Sequence, residues 1–435
     1  MRLYFFSIFF LIAIAGYTQI PVAGDPLPAW QKGYLDIHHI NTGRGSAAFF
    51  ILPDATTMLI DAGEMSPLDE RLFTPRNAMI RPDSSRKPYE WIAAYIKQVA
   101  PKPAVDYALI THFHDDHFGA WYPQAPFAKS GKYQLTGITG VAELLPLRNL
   151  IDRGYPDYNY PYDIKNLAAK YGGGEIEFGH TMGNYFAFIA EKKQAGMKMF
   201  RLKAGSRKQI VLLNNAAAYP SFYIQNIKAD QWIWTGKDSN VTAHFPPVDT
   251  ADRKAWPDEN SLSLALALHY GPFIYYTGGD NPGNVFPGDN PLRDVETPIA
   301  KAVGEVDIAI TDHHGNRDAV NEFMVRTLKP RVWIGQTWSS DHPGHEVLAR
   351  MTNTYIYPGQ RDLFATNMLD ANRYVIGPLI DRSYKSQQGH ILVRVLPGGK
   401  TYYVIILDDM NPALTVKSVF GPYTSKINKN NPHQK

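Results

Sequence analysis

The chain of 435 residues contains no cysteine. Disulfide bonds, thiolate metal ligands and a cysteine nucleophile are therefore excluded. Any metal site in this protein must be built from histidine nitrogens and carboxylate oxygens. That set of ligands suits zinc, and it also suits manganese or iron.

An excess of charge of either sign is also missing. The 44 basic residues nearly balance the 41 acidic ones, and the formal net charge is +3. Tight unspecific binding of long DNA depends on many phosphate contacts. Nucleic acid is therefore compatible with the charge but is not indicated by it, and the same holds for an anionic membrane surface.

No apolar run is long enough to span a membrane comfortably, and the longest one lies at the N-terminus. Arg2 precedes an apolar run at residues 4–15, and residues 16–19 form a candidate cleavage region. The run is shorter than the roughly 20 residues that a membrane-spanning helix needs. We therefore predict a signal peptide at residues 1–20 and a secreted or periplasmic protein without a stable membrane span after signal removal. An uncleaved anchor is the alternative.

Beyond the signal, β-branched and aromatic runs predict strands, and amphipathic runs predict helices. The predicted strands are residues 34–40, 47–52, 57–60, 104–110, 210–213, 231–234, 262–269, 273–277, 306–310, 332–334, 391–395 and 402–407. The predicted helices are residues 91–99, 186–200, 322–328 and 346–352. Two runs of strands, each followed by helices, predict an α/β fold in which two sheets pack together with helices outside.

The pattern predicts one large domain over residues 30–410. Residues 121–175 are rich in proline, glycine and tyrosine, so we expect an irregular insertion there. Residues 411–435 are polar, and we expect a frayed C-terminal tail.

The strongest chemical signal is the segment THFHDDH at residues 111–117, which follows an apolar strand. On an extended chain His112 and His114 point to the same side. The chain must then turn, which brings Asp116 and His117 to a neighbouring point. Two such pairs of ligands can hold two cations a few ångströms apart. Solvated histidines at a strand end are the alternative interpretation.

Three other strand ends carry candidate residues. Asp280 follows two glycines that let the backbone bend tightly, and it is our candidate for a bridging carboxylate. His313 and His314 follow another apolar strand, and one of them could complete the second metal site. Asp61 is a candidate for orienting a histidine ligand through a hydrogen bond. Aspartates in turns and structural histidines are the competing interpretations.

These motifs, in this order, resemble those of the metallo-β-lactamase fold superfamily. The closest likeness is to the extracellular metallo-hydrolase domain of the competence protein ComEC and its stand-alone relatives. The motifs that carry it are Gly43-Arg44-Gly45, Asp61-Ala62-Gly63, residues 112–117, residues 260–264, Thr277-Gly278-Gly279-Asp280, His313-His314-Gly315 and His342-Pro343. The resemblance covers residues 34 to 407, and it implies a four-layer αββα sandwich with insertions.

The chain departs from this family in two respects. The family has aspartates where this chain has Asn41 and Ser46. A third-motif histidine is expected between the first cluster and the bridging acid, and His244 is nearest to that place. His180 is the alternative, or no residue fills the position, in which case the first metal would bind more loosely.

The resemblance implies a binuclear centre with two divalent metal ions, Zn²⁺ by preference and Mn²⁺ or Fe²⁺ as alternatives. The predicted metal ligands are His112, His114, Asp116, His117, His244, Asp280 and His313. Two such cations lower the pKa of a water molecule to about 7, which prepares it for attack on phosphorus or a carbonyl carbon. Asp116 could position this nucleophile. His342 could donate a proton or bind the developing oxyanion.

We therefore expect a secreted hydrolase that acts on a phosphodiester or another phosphorylated substrate, either small or polymeric. Arg44 and Arg317 are candidates for binding its negative charge. Two alternatives stay open at this stage. One is a non-catalytic binding protein on the same fold, and the other is a lactamase-like or thioesterase-like hydrolase.

Overall fold

The structure, a computed structural model, describes residues 20–166, 176–248, 256–283 and 290–426. The predicted signal peptide falls almost entirely on residues 1–19, which lie outside the described residues. Within the described ranges, no helix combines the length and the hydropathy that crossing a bilayer requires.

Eighteen strands form within the described residues. The first nine are β1 Leu35–His39, β2 Ala48–Ile51, β3 Thr57–Ile60, β4 Val105–Leu109, β5 Leu147–Asp152, β6 Lys198–Arg201, β7 Phe222–Ala229, β8 Trp232–Trp234 and β9 Val241–Ala243. The others are β10 Ala265–Tyr270, β11 Phe273–Thr277, β12 Ile308–Ile310, β13 Val332–Gly335, β14 Asp362–Ala365, β15 Tyr384–Ser386, β16 His390–Val395, β17 Thr401–Leu407 and β18 Val416–Thr424. The consecutive strands β10 and β11 pair antiparallel as a hairpin, and so do β16 and β17.

Helices connect many of these strands. They are α1 Pro88–Val99, α2 Asp115–Phe118, α3 Gly137–Leu144, α4 Ile176–Gln194, α5 Glu296–Val303, α6 Glu322–Leu328, α7 His345–Thr352, α8 Asp370–Ile376 and α9 Pro378–Ser383. In α1, Pro88 occupies the first position, where the missing N–H costs nothing. The carboxylate of Glu90 accepts the backbone N–H of Lys87 at 2.7 Å, which closes the first turn.

The strands form two nine-stranded mixed sheets. The first has the order β18-β17-β16-β1-β2-β3-β4-β5-β6, and the second has the order β15-β14-β13-β12-β11-β10-β7-β8-β9. Strands β3 to β6 run parallel to one another, as do β11 to β15. The carboxyl ends of parallel strands meet at one edge of their sheet, which is where α/β proteins place their sites.

The main core lies between the two sheets. Phe50 of β2 packs there against Tyr275 of β11, with ring centres 5.7 Å apart, and Leu266 of β10 belongs to the same buried cluster. Because successive side chains of a strand alternate between faces, Phe49 points to the opposite side of the first sheet. There it joins a second buried cluster.

Helices cover the outer face of each sheet. Ile92 of α1 and Phe188 of α4 belong to the buried cluster on the first sheet, whereas Trp333 of β13 packs with Ile299 of α5 and Leu348 of α7 on the second. The predicted α/β class with two packed sheets is therefore confirmed. The assignment to one particular fold family stays a prediction.

The segment at 121–175 differs from the irregular insertion that we predict. It contains helix α3 and strand β5, and β5 lies inside the first sheet between β4 and β6. The proline- and tyrosine-rich flanks conceal β5 in the sequence, because its pairing partners are distant segments. Residues 121–136 and 153–166 have little regular structure, as expected.

The C-terminal segment also differs from the prediction of a frayed tail. Val416–Thr424 form β18, which pairs antiparallel with β17 at the edge of the first sheet. Pro422 interrupts the pattern that would reveal a strand, but an edge strand tolerates a proline because one of its sides has no partner.

One predicted helix ends early, and one predicted strand is not formed. The helix expected at residues 186–200 ends at Gln194, because Gly196 adopts φ +102° and the following residues form β6. The segment 210–213 is not a strand. Its backbone bonds to side chains instead, as where Leu213 N–H donates to Oγ1 of Thr56.

Candidate metal centre

Five strand ends from the two sheets meet at one place. They carry Asp61 after β3, residues 112–117 after β4, Asp280 after β11, His314 after β12 and His342 after β13. Because these strands are parallel within each sheet, their carboxyl ends lie side by side. Face-to-face packing of the sheets then brings the two sets of polar side chains together.

Four buried side chains place their ligand atoms within 4.8 Å of one another, and we term them the four-residue group: Asp116, His117, Asp280 and His314. Nε2 of His314 lies 2.9 Å from Oδ2 of Asp116. Nε2 of His117 lies 3.0 Å from Oδ1 of Asp280. Two imidazoles and two carboxylates with this spacing suit a divalent cation such as zinc.

A second cluster, the three-residue group, consists of His112, His114 and Asp280, and its ligand atoms also lie within 4.8 Å of one another. Nε2 of His112 is 3.8 Å from Oδ2 of Asp280 and 3.1 Å from Nδ1 of His114. Asp280 belongs to both groups. It therefore stands where a bridging carboxylate would have to stand.

The second nitrogen of two imidazoles is committed to the protein. Nδ1 of His117 donates to Oδ2 of Asp61 at 2.8 Å, and Nδ1 of His314 donates to the carbonyl of Gln336 at 2.8 Å. Carboxylate and carbonyl oxygens only accept, so Nδ1 carries the proton in each neutral ring. The hydrogen bond from a histidine to Asp61 that the sequence predicts is therefore present. Its role in orienting a metal ligand stays a prediction.

The tautomers of His117 and His314 show whether these residues fit a cation. In the neutral rings, Nε2 of His117 and Nε2 of His314 carry lone pairs, and these two atoms lie 3.3 Å apart. Lone pairs at this distance repel each other unless a positive charge lies near both. Asp116 and Asp280 provide the anionic charge that a divalent cation prefers, so the residues present fit such an ion.

The electrostatics of the four-residue group favour positive charge. Burial lowers the pKa of His117, but Asp280, Asp116 and Asp61 outweigh it and raise that pKa well above 6.5. The same balance, with Asp280 as the main partner, raises the pKa of His314 to about 9. Burial raises the pKa of Asp280, but the neighbouring histidines, His117 foremost, hold it well below its usual range.

Two glycines allow the close packing of the backbone around the site. Gly279 has φ +59°, and a Cβ atom there would lie 3.0 Å from side-chain atoms of Ser263 and Thr111. A Cβ atom on Gly63 would lie 1.9 Å from the backbone oxygen of Asp116. These positions therefore accept glycine and no larger residue without a backbone shift.

Three non-glycine residues of the site adopt left-handed backbone conformations. The φ angles are 61° at Asp61, 47° at His313 and 56° at His314. Such conformations cost roughly 1–2 kcal/mol for each residue with a Cβ atom. Strain of this kind clusters at functional sites, where the surrounding structure imposes it.

His313, named with His314 as a candidate ligand, lies beside the four-residue group and is not a member of it. Its Nδ1 donates to Oδ1 of Asp318 at 2.6 Å, and its Nε2 is 3.3 Å from the amide of Asn260 and 3.8 Å from Asp280. Nε2 of His314 is the nitrogen that enters the group, because the two successive left-handed residues turn the side chains apart.

His342 stacks on His314, with ring centres 4.8 Å apart. Nδ1 of His342 accepts backbone N–H groups of Ser339 at 3.3 Å and Trp338 at 3.4 Å. Burial, with the neighbouring His314, lowers the pKa of His342 to about 3. The ring is therefore neutral near pH 7, and its Nε2 carries the proton.

The structure does not bring His244 to the cluster, which corrects the predicted ligand. His244 follows β9, the terminal strand of the second sheet, and β11 lies four positions away in that sheet. Its Nε2 donates to the carbonyl of Leu292 at 2.8 Å. The alternative candidate, His180, lies on α4 and stacks on Trp121.

The two arginines considered as anion binders have structural partners. Arg44 is buried and donates to the carbonyls of Ala78 and Leu72. Arg317 is exposed and pairs with Glu346 at 3.3 Å.

A cavity of about 400 Å³ opens onto the two groups. Arg76, Asn260 and Trp338 line it together with His342. The sequence pattern did not single out Arg76, because an isolated arginine in a loop carries no recognisable signal. The carbonyl of Gln336 and the carboxylate of Asp318 were missed for a similar reason, since any residue supplies a carbonyl and aspartates are common in loops.

No protein-family model matches the chain, and no curated protein matches it either.

Proposed function

We propose that this protein is a metal-dependent hydrolase that holds two divalent cations between its sheets. The observation that carries the proposal is the convergence of the four-residue and three-residue groups on one shared carboxylate, Asp280. The donors come from distant segments of the chain and gather lone pairs and buried charge at one point. Packing alone does not account for this arrangement, because unpaired buried polar groups are costly.

We further propose that the chain adopts the metallo-β-lactamase fold and is similar to the ComEC-like metallo-hydrolases. Two facing mixed sheets with helices outside, and the order of the motifs on the strand ends, support this assignment. Zinc is the cation that the histidine and aspartate donors favour, and manganese and iron are the alternatives.

Cations held there would supply a water molecule with a pKa of about 7 and would neutralise negative charge on the substrate. The protein's own contribution is to hold the ligands ready. Asp61 and the carbonyl of Gln336 hold the rings of His117 and His314 in one tautomer and one orientation. These side chains then need little reorganisation when a cation binds.

His342 is the candidate for contact with the reacting group. It lines the cavity, and because its Nδ1 accepts backbone N–H groups, its Nε2–H is the donor available to hydrogen-bond an oxyanion. A role as general acid would require a doubly protonated ring, but Nδ1 of His342 already accepts two backbone N–H groups and has no room for a second proton. We therefore assign His342 to oxyanion binding and Asp116 to positioning the nucleophile.

The proposed substrate is a phosphodiester or another phosphorylated compound. The cavity is polar, and Arg76 and Asn260 at its wall can donate hydrogen bonds to phosphate oxygens. The apolar N-terminal run supports export, so the reaction would take place outside the cell or in the periplasm.

The test begins with the metal content of protein purified without chelator. We expect two equivalents of metal and hydrolysis of bis(p-nitrophenyl) phosphate, with little turnover of a β-lactam or a thioester. Asp280→Asn and His114→Ala should each lose most of the phosphodiesterase activity while remaining folded. His244→Ala is the matched control, since that histidine lies away from the cavity, and it should retain activity.

Other outcomes distinguish the alternative functions. Full activity in both Asp280→Asn and His114→Ala would contradict the mechanism. Faster turnover of the β-lactam or the thioester would indicate the corresponding hydrolase class. A folded protein that binds no metal and hydrolyses none of the three substrates would indicate a binding protein on this fold.

A further inference from the structure

The two ligand groups differ in the number and charge of their donors. The four-residue group offers two imidazoles and two carboxylates, all of them buried. The three-residue group offers two imidazoles and a share of Asp280, and its His114 is half-buried. Fewer donors and less negative charge give a weaker attraction for a divalent cation.

The three-residue group has one donor fewer than the four-residue group, and the neighbouring strand β5 does not supply a fourth one. β5 runs parallel to β4, so its end emerges beside the segment that carries His112 and His114. Asp152 and Arg153 stand there. The carboxylate of Asp152 already accepts four hydrogen bonds. A guanidinium has no lone pair to offer a cation, so Arg153 cannot act as a ligand.

Arg153 acts on the three-residue group in another way. Its guanidinium makes two hydrogen bonds to Glu259, of 2.6 Å and 2.8 Å. Oε1 of Glu259 also accepts the backbone N–H of Phe113 at 2.8 Å, and the guanidinium lies 4.7 Å from the centre of the Phe113 ring. The ion pair therefore holds the one residue that separates His112 from His114.

The pair is itself rigidly held. Asp230 contacts the guanidinium at 3.2 Å, and the carbonyl of Tyr160 accepts from it at 2.9 Å. The side chain of Arg153 is 1% exposed. A buried, bidentate guanidinium with these partners has one available orientation, and it transmits that orientation to Glu259.

We propose that the two cation sites are unequal: the four-residue group binds its cation tightly, the three-residue group holds an exchangeable cation, and the Arg153–Glu259 ion pair sets the affinity of the exchangeable site. Glu259 is a positioning residue, because it acts through the backbone between His112 and His114. This inference rests on the proposed metal centre.

The test is a calorimetric titration of the full-length, metal-free protein with Zn²⁺. We expect two classes of site whose dissociation constants differ by at least about 10-fold. Glu259→Gln breaks the ion pair and should weaken Zn²⁺ binding to the lower-affinity class by about 10- to 100-fold. Substitution of residues that support metal ligands typically has an effect of this size. The higher-affinity class should keep its dissociation constant.

Glu143→Gln is the matched control. Glu143 also accepts from a lysine, Lys192 at 2.9 Å, but it lies on α3 away from both groups, so neither class should change. If Glu259→Gln fails to fold, the triple variant Arg153→Met, Asp230→Asn and Glu259→Gln takes its place, because it removes the buried guanidinium together with both carboxylates that pair with it. His114→Ala should remove the lower-affinity class and keep the other.

Three outcomes would overturn the inference. Two Zn²⁺ sites of equal affinity in the wild type would contradict the proposal that the sites are unequal. In Glu259→Gln, an equal loss of Zn²⁺ affinity in both classes, or no loss in either, would contradict the positioning role of Glu259. The proposed hydrolase function would not be affected by that result. A wild-type protein that binds no Zn²⁺ would contradict the metal centre itself, and the proposed function would fall with it.

Discussion

The ring of His117 illustrates how single contacts prepare the site. Asp61 accepts from its Nδ1, and Oδ1 and Oδ2 of Asp61 also accept from the backbone N–H and the hydroxyl of Thr111. These bonds hold the carboxylate in place, and the carboxylate in turn holds the ring. Partners of this kind also make the imidazole more basic, which strengthens its bond to a metal.

Asp61→Asn tests this contact. The amide is uncharged and cannot satisfy the three donors in the same way, so we expect binding of Zn²⁺ to the higher-affinity class to weaken by about 10- to 100-fold. A competition titration against a coloured chelator measures the change. Asp106→Asn is the control, because Asp106 lies at the opposite end of β4. An unchanged affinity in Asp61→Asn would show that Asp61 does not support the ligand.

At the scale of the elements, one buried carboxylate joins two helices to the loop after β3. Oε2 of Glu64 accepts the N–H of Gly137, the first residue of α3, at 3.0 Å. It also accepts the N–H of Tyr89, in the first turn of α1, at 3.3 Å. Helix N-termini favour negative charge, but burial is the larger effect and raises the pKa of Glu64 to about 7.

This shift predicts a pH dependence of stability. In the unfolded chain the pKa of Glu64 is near 4.5, so the folded state holds the proton more tightly. Its contribution to stability is then fully present below pH 4.5 and is lost as pH rises through about 7. Glu64→Gln should remove this component, since an amide oxygen can accept both N–H groups without a charge. Urea unfolding of both proteins between pH 4 and 8 measures the difference, and identical pH profiles would refute the assignment.

At the scale of the whole molecule, the four-residue group joins the two sheets. Asp116 and His117 follow β4 of the first sheet, whereas Asp280 and His314 follow β11 and β12 of the second. A cation bound by all four would connect the sheets at their common edge. The unfolded chain keeps these residues far apart and cannot bind the cation in the same way.

Removal of metal should therefore lower the thermal stability of the entire fold. A ligand that binds the folded state alone stabilises it by about 2.7 kcal/mol at a free concentration of about 100 times Kd. We expect a lower midpoint of thermal unfolding after treatment with a chelator and recovery on addition of Zn²⁺. Asp280→Asn should show a much smaller response. An equal response in that variant would place the stabilising metal elsewhere.

The sequence by itself determined the α/β class, most of the strands near the site and the chemistry of the segment 112–117. Those features depend on neighbouring residues, whose alternation and spacing are visible along the chain. It did not reveal seven of the eighteen described strands, namely β5, β6, β7, β9, β14, β15 and β18. For β5 and β18 the reason is that a strand among prolines and tyrosines is recognised only by its pairing partners. The sequence did not show that α4 ends at Gln194 either, because the residues that follow pair as β6 with a distant strand, β5.

Only the tertiary structure decided which distant residues meet. It brought His314 into the four-residue group with His313 beside it, left His244 at the far edge of the second sheet, and set Glu259 behind Phe113. The physical reason is that a ligand set is a property of distances in space. Residues 112–117 and 280–314 are separated by more than 150 positions of chain, and the packing of two sheets is what brings them within a few ångströms.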